Sequence, residues 1–206
     1  MRSFLRDNGL TIALALLFGI SVVGMAAAGF ASYNEELAKH GEVPLPLFQY
    51  LTSGQFLSAL FENWESEFLQ MGVYVVLTAW LFQRGSAESR DPDNEKPEKE
   101  WIAQPPFPYS HSLGLVLFGL FVASFLLHWF ASARASEMDM ARHGAASTGY
   151  LQYLLDVELW FESFQNWQSE FLSTAVLVVL SIFLREKGSP ESKPVGAPDE
   201  QTGSLQ

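Results

Sequence analysis

The sequence contains no cysteine among its 206 residues, which excludes disulfide bonds, thiolate metal sites and cysteine nucleophiles. It also lacks the short motifs of a nucleophile elbow, a phosphate-binding loop, a zinc protease or a dinucleotide site. Lysine and arginine number 12 against 23 acidic residues and form no basic patch, so nucleic acid is not an expected partner. The sequence therefore predicts a non-enzymatic protein with no catalytic residues, no cofactor and no metal ion.

Long apolar runs are the main feature that the sequence does have. They cover about residues 10–30, 64–82, 112–133 and 167–184. Each is close to the ~20 residues that a helix needs to cross ~30 Å of hydrocarbon, and the runs show almost none of the polar stripe of a soluble helix. The runs predict an all-α membrane protein with four transmembrane helices. The alternative for the first run is a cleaved signal peptide. The run is longer than the apolar region of a signal peptide, which argues against that alternative.

The two halves of the chain resemble each other. Leu17-Phe18-Gly19 matches Leu117-Phe118-Gly119 at an offset of 100, and His40-Gly41 matches His143-Gly144 at 103, past an expected three-residue insertion. The longest match joins 63–69 to 166–172, where only Glu65 differs, as Gln168. Long collinear matches predict a tandem duplication of a two-helix unit. Because each unit has two spans, the repeats are parallel about an axis along the membrane normal.

The repeat predicts the organisation of the chain. The parts are a first repeat over 1–89, a flexible acidic and proline-rich cytoplasmic linker over 90–108, a second repeat over 109–192, and a disordered tail over 193–206. Two aromatic, mixed-polarity stretches, about 47–61 and 150–164, are expected to form interfacial helices on the outer face.

The distribution of lysine and arginine predicts the orientation. Nine of them lie near the N-terminus, in residues 83–108 and from residue 185 onward, whereas the two connections within the repeats hold Lys39, Arg134 and Arg142. By the positive-inside rule both termini lie in the cytoplasm.

The repeated seven-residue motif supplies the candidate site. On a helix, the polar side chains of the motif share one arc of about 100°. The candidate polar or partner-binding residues are Asn63, Ser66, Glu67, Asn166, Ser169 and Glu170. The opposite arc holds position 65 and an aromatic face toward lipid headgroups or a neighbouring helix: Phe61, Trp64 and Phe68, with Phe164, Trp167 and Phe171 in the second copy.

Two functions fit this motif. Glu67 and Glu170, near the outer edge of the membrane, are a candidate pair to share a cation or proton in a small channel or transporter. The more ordinary explanation is that such polar belts are structural, which favours a protein that binds a partner or lipid at its outer face. The expected partners are the lipid bilayer, a membrane protein or a second copy of the chain.

The four histidines are weaker candidates for a functional site. His40 and His143 are repeat mates in the outer connections, so paired metal or haem ligation is conceivable. A loop histidine followed by glycine is more often a turn residue. His128, beside Trp129 near the outer end of the third run, is interpreted as an interfacial histidine, and His111 precedes that run on the cytoplasmic side.

The chain resembles a family of short bacterial membrane proteins known as a domain of unknown function. The resemblance lies in Tyr33 to Glu36 (Tyr-Asn-Glu-Glu), Tyr50 to Gly54 (Tyr-Leu-Thr-Ser-Gly), the motif within Phe61 to Met71, its copy within Phe164 to Leu172, and Gly188 to Pro194 (Gly-Ser-Pro-Glu-Ser-Lys-Pro). It covers nearly the whole chain and implies a bacterial inner-membrane location. It implies no activity, so the leading expectation remains a structural or interaction protein of the membrane.

Overall fold

The computed structural model describes residues 2–93, 106–147 and 149–203. Within these ranges every regular element is an α-helix. The helices are α1 (Arg2–Asp7), α2 (Gly9–Lys39), α3 (Leu47–Leu51), α4 (Gly54–Trp80), α5 (Phe107–Ser110), α6 (Ser112–Arg142), α7 (Tyr150–Tyr153) and α8 (Val157–Phe183). Most of the predicted linker, residues 94–105, lies outside the described part of the chain.

Two of the helices, α2 and α6, are long and apolar enough to cross a membrane. Their most apolar windows are almost nowhere buried inside the protein. A core helix of a soluble protein would hide those side chains, whereas exposed Leu, Ile, Val and Phe side chains suit a lipid surface. The protein is thus all-helical with two candidate membrane-spanning helices.

The two candidate spanning helices are longer than the apolar runs within them. Both have 31 residues, which is roughly 46 Å at 1.5 Å per residue. The first apolar run is predicted to end near residue 30 and to be followed by a polar connection over residues 31–62, but α2 continues to Lys39. One reason is an exposed ion pair one turn apart, with Lys39 Nζ 2.7 Å from Glu35 Oε1, which supports a helix in water.

The helix bounds repeat along the chain. Helices α6 and α8 begin and end 103 residues after α2 and α4, respectively. The offset is constant, so the expected three-residue insertion is not needed. At an offset of 103, Leu17-Phe18 corresponds to Leu120-Phe121, a second Leu-Phe pair in the same helix.

The chain divides into two compact units. Unit 1 comprises residues 1–59 and 130–149, and unit 2 comprises 60–129 and 150–206. Each unit draws residues from both predicted repeats.

Unit 1 is organised around a buried tyrosine. Tyr50 of α3 packs against Phe30 and Tyr33 of α2 and Phe56 of α4. The Asn34 side chain fixes the loop before α3 by donating to the Leu45 carbonyl (3.1 Å) and accepting from the Leu45 amide (2.8 Å). These contacts seat the loop against α2, so its backbone polar groups keep partners.

The first turn of α4 and the last turns of α6 also meet in unit 1. Gly54 leaves no room for a side chain, because a Cβ there would lie 2.6 Å from the Ala131 carbonyl oxygen and the Ala135 amide nitrogen. The hydroxyls of Ser58 and Ser132 hydrogen-bond each other in the buried contact. Small and hydroxyl residues thus give the close helix approach that is common in membrane bundles.

Unit 2 packs α4, α8 and the first part of α6. Gln70 Nε2 donates to Thr174 Oγ1 at 2.6 Å, which joins α4 to α8. Leu117 of α6 and Leu159 of α8 are buried.

The turns after α4 and α8 share one hydrogen-bond pattern. Ser89 Oγ accepts from the Gln83 amide, and Ser192 Oγ accepts from the Glu186 amide, both at 2.8 Å. Residues 193–203 belong to the predicted disordered tail. There the buried Lys193 ammonium donates to the backbone carbonyls of Pro198, Asp199 and Gln201.

The first of these turns carries a half-buried carboxylate. Glu88 Oε2 accepts from the Tyr74 hydroxyl at 3.0 Å. Burial raises the pKa of Glu88, and the nearby Glu191 carboxylate raises it further, although the Tyr74 hydrogen bond acts in the opposite direction. Folded Glu88 therefore holds its proton to higher pH than an exposed glutamate, whose pKa is about 4.3.

We expect Glu88→Gln to stabilise the protein at pH 8 and to have little effect at pH 4. The protonated carboxyl contributes stability that is fully present below the unfolded pKa and is lost as pH rises through the folded pKa. The glutamine side chain of the variant cannot ionise and keeps that contribution. Thermal unfolding of purified protein at both pH values tests this, with the exposed Glu186→Gln as control. A stabilisation that is equal at pH 4 and pH 8 would refute the assignment.

Candidate functional site

Three helices of unit 2 bring together a buried cluster of ionisable side chains. Glu65 of α4 and His128 of α6 both have 0% side-chain exposure, and His128 Nδ1 lies 2.7 Å from Glu65 Oε2. Burying a charged group is costly unless it is paired and hydrogen-bonded. A buried pair of ionisable side chains in an apolar setting is therefore a candidate functional site.

The second oxygen of Glu65 is also occupied. Trp167 Nε1 of α8 donates to Glu65 Oε1 at 2.8 Å. An ionised carboxylate only accepts hydrogen bonds, so Glu65 fixes a proton on Nδ1 of His128. The other ring nitrogen, Nε2, then faces Glu162 Oε2 of α8 at 3.2 Å.

A third carboxylate completes the cluster. The amide of Asn166 donates to Glu62 Oε1 and, at 3.3 Å, to the backbone carbonyl of Glu162. One donor atom each from Glu62, His128 and Glu162 lies within 4.8 Å of the others. We call Glu62, Glu65, His128 and Glu162 the Glu/His cluster.

The Glu/His cluster is closed on one side only. Glu65 and His128 are fully buried, whereas the Glu162 side chain is 30% exposed and Glu62 is half-buried. The exposed side of the cluster is thus that of Glu62 and Glu162, and the side of Glu65 is closed.

The charges of the Glu/His cluster do not balance among themselves. With all four groups ionised, three carboxylates face one imidazolium. Carboxylates within a few ångströms of each other repel, and sharing a proton or a cation relieves that repulsion. The cluster is therefore suited to hold an extra proton or a metal ion.

The predicted polar arc contributes one hydrogen-bond donor to a member of the Glu/His cluster. Asn166 binds Glu62 as described. Ser66 and Ser169 instead each donate to the backbone carbonyl three residues earlier, at 2.8 Å. Glu67 and Asn63 are exposed.

The predicted carboxylate pair lies outside the Glu/His cluster. Glu170 of α8 is half-buried, and the Glu67 carboxylate is close enough to interact with it electrostatically. Their sharing of a cation or a proton stays a prediction.

The predicted aromatic face is partly turned inward. Trp167 reaches the buried Glu65, which corresponds to the neighbouring-helix alternative for that face. Phe164 packs edge-on against Trp167 at 5.3 Å and is 58% exposed, and Phe171 is 40% exposed. Phe61 packs edge-on against Trp64 at 5.4 Å. Phe68 is half-buried.

The repeated histidines have local roles. His40 and His143 are exposed, and the Nδ1 atom of each lies 2.9 Å from the backbone carbonyl four residues earlier. They follow the last residues of α2 and α6 and satisfy helix-terminal carbonyls, as turn residues do. His111 is exposed and stacks on Phe107.

The sequence analysis missed the Glu/His cluster, although the sequence contains a signal for it. At each of the four cluster positions, the residue 103 positions away in the other half is different. His128 corresponds to Met25 and Glu162 to Ala59, while Glu62 corresponds to Gln165 and Glu65 to Gln168. Differences between the halves, rather than matches, mark the cluster.

The chain belongs to a family described as a domain of unknown function, DUF6766, whose profile matches residues 1–204. No curated protein and no solved structure gives a significant match.

Proposed function

We propose that the chain is a four-span protein of the bacterial inner membrane, built as two parallel two-helix repeats with both termini in the cytoplasm. The constant offset of 103 residues between helix bounds supports the duplication. Helices α4 and α8 supply the second pair of spans, each with a first half of mixed polarity and an apolar second half. The excess of lysine and arginine in the terminal and linker segments supports the orientation.

The function that the geometry supports best is the binding of a cation, either a proton or a metal ion, in the Glu/His cluster. The observation that carries it is the fully buried imidazole of His128, which has a carboxylate oxygen at each ring nitrogen. An ionisable group inside a membrane segment is costly, and such groups commonly mark ion or proton sites.

The position of the Glu/His cluster favours binding over conduction. His128 is 16 residues from Ser112, which is roughly 24 Å along α6. In the proposed orientation the cluster therefore lies near the outer edge of the ~30 Å hydrocarbon layer. Residues 113–127 of α6 contain no ionisable side chain that would continue a path inward.

We expect at least one cation, or protons, to raise the unfolding temperature of the wild type through the Glu/His cluster. A ligand that binds only the folded state at 100 times its Kd stabilises by about 2.7 kcal/mol, or roughly 5–10 °C for a chain of this size. Thermal unfolding of purified protein is measured across pH 5–8 and with Na⁺, K⁺, Mg²⁺, Ca²⁺, Mn²⁺ and Zn²⁺ in turn. The variant Glu62→Gln with Glu162→Gln is expected to lose the response to the cations and to keep the pH dependence that comes from other groups such as Glu88.

The matched control is Glu67→Gln with Glu170→Gln, which removes two carboxylates from the same two helices and leaves the Glu/His cluster intact. We expect this control to respond as the wild type does. If the cation-dependent rise in unfolding temperature disappears only in the control, the cation site is at Glu67 and Glu170, as the channel alternative predicts. A wild type that responds to no cation and to no pH change would exclude cation binding.

A second candidate is a non-enzymatic interaction protein that binds a membrane protein, a lipid or a second copy of itself at its outer face. The observation that favours it is the exposure of large apolar side chains around the start of α8: Leu155 is 83% exposed, Val157 81% and Phe161 65%. Such patches on a polar-rimmed face commonly mark contact surfaces. If the protein is an interaction protein and binds no cation in the Glu/His cluster, the Glu62/Glu162 double variant should respond to cations as the wild type does.

A further inference from the structure

We infer that Glu62, Glu162 and Nε2 of His128 form a binding site for one divalent transition-metal ion, with Glu65 as the residue that positions His128. This inference rests on the proposed cation-binding function and names the class of cation.

The donor atoms are of the right type and nearly at the right spacing. Zinc is held at about 2.0–2.2 Å by imidazole nitrogen and carboxylate oxygen, which places tetrahedral donors about 3.3 Å apart. The three donors of the Glu/His cluster lie within 4.8 Å of one another. Glu62 and Glu162 are partly exposed, so their side chains have room to rotate toward an ion beside Nε2.

The surroundings of His128 prepare it as a ligand. Histidine ligands commonly donate their second ring N–H to a carboxylate, which fixes the tautomer and the ring orientation. Glu65 accepts from Nδ1 of His128 at 2.7 Å and is itself held by Trp167 at 2.8 Å. Glu65 and His128 belong to helices and are fully buried, so Nε2 is directed toward Glu62 and Glu162 before any ion arrives.

Charge also favours a divalent ion. Three carboxyl groups, from Glu62, Glu65 and Glu162, surround the single imidazole of His128. A divalent ion held by the Nε2 lone pair and two carboxylate oxygens relieves the repulsion between the carboxylates.

The mixed donor set selects among metals. One imidazole and two carboxylates suit Zn²⁺, Mn²⁺ or Fe²⁺, whereas Ca²⁺ prefers six to eight oxygen ligands and Mg²⁺ an octahedral oxygen shell. Three protein ligands leave a further coordination position for water or another small ligand on the exposed side.

The test uses the full chain in detergent, stripped with a chelator and reloaded with Zn²⁺ or Co²⁺. We expect one metal ion per chain by elemental analysis. Glu62→Gln with Glu162→Gln is expected to bind at least tenfold more weakly. Glu65→Gln should bind about 10–100-fold more weakly, since it changes only the residue that orients His128. Glu67→Gln with Glu170→Gln is expected to bind as the wild type does.

A second variant keeps the test decisive if the cluster variants do not fold. Replacing the exposed His40, His111 and His143 by Gln leaves His128 as the one histidine of the chain. X-ray absorption of this variant loaded with Zn²⁺ is expected to retain one imidazole nitrogen at about 2.0–2.1 Å. Loss of the imidazole signal, or a metal-to-chain ratio near zero in folded wild type, would overturn the inference.

The two proposals fail in different ways. If protons or a monovalent cation alter the stability of the wild type through the Glu/His cluster but no transition metal binds, the metal site is wrong and cation binding stands. If no cation and no pH change acts through the cluster, both are wrong.

Discussion

Glu65→Gln is expected to destabilise the folded protein by about 3–5 kcal/mol, the usual cost of removing one partner from a buried ion pair. Glu65 accepts hydrogen bonds from His128 Nδ1 and Trp167 Nε1 at 2.7 and 2.8 Å. A glutamine offers one acceptor oxygen and an amide that also donates, so one of the two N–H groups loses its acceptor. The measurement is unfolding in mixed micelles with increasing denaturing detergent.

Glu67→Gln is the matched control for this prediction, because Glu67 lies two residues further along α4 and is exposed. It should change the free energy of unfolding by less than about 0.5 kcal/mol. The pair Glu65→Leu with His128→Leu is expected to cost less than the sum of the two single changes, since replacing both partners by apolar residues leaves neither charge buried alone. Strict additivity of the two changes would contradict the direct contact.

The sequence predicted the helices better than it predicted their ends. Apolar composition predicts a helix in a bilayer because backbone polar groups must be satisfied within the segment. The end of a helix outside the bilayer depends on local contacts that composition does not show. In α2 those contacts are the Glu35–Lys39 ion pair and the Asn34 side chain that holds Leu45, which let the helix run on to Lys39.

The candidate site was harder to predict because its residues come from three helices. Glu65 was interpreted as a variable position because the second copy of the motif has Gln168 there, and His128 as an interfacial residue because it stands beside Trp129. A search for repeated motifs finds the residues that the two copies share. A site built once in a duplicated protein breaks the repeat, so its residues are those that the copies do not share.

Several residues that the two halves share make equivalent hydrogen bonds within the local backbone. Ser66 and Ser169 bond their own helices in the same way, and the serines after α4 and α8 accept from equivalent backbone amides. Repeated residues thus serve repeated local structure. The predicted roles of Asn63, Glu67 and Glu170 remain predictions, and the Glu67/Glu170 control variant described above is the experiment that bears on the two carboxylates.

The second large effect is expected in unit 1, where Tyr50→Ala should cost about 3–5 kcal/mol, the range for truncating a buried aromatic ring. Tyr50 is 4% exposed, and its ring centroid lies 5.8 Å from Phe30, 5.8 Å from Tyr33 and 5.4 Å from Phe56. Removing the ring leaves a cavity among three aromatic side chains. Phe48→Ala, on the same short helix but 77% exposed, is the control and should change stability by less than about 0.5 kcal/mol.

Gly29 provides a sharper check of the same contact, because the Tyr50 hydroxyl occupies the space beside its backbone. A Cβ at position 29 would lie 2.1 Å from the Tyr50 hydroxyl oxygen and 3.2 Å from the ring carbon that carries it. Gly29→Ala should therefore cost about 1–3 kcal/mol through overpacking. In the background of Tyr50→Phe, which lacks that oxygen, the same change should cost less, though the ring carbon still leaves some crowding. If Gly29→Ala costs the same in both backgrounds, the hydroxyl does not lie against α2 as described, and the seating of α3 on the spanning helix must be reconsidered.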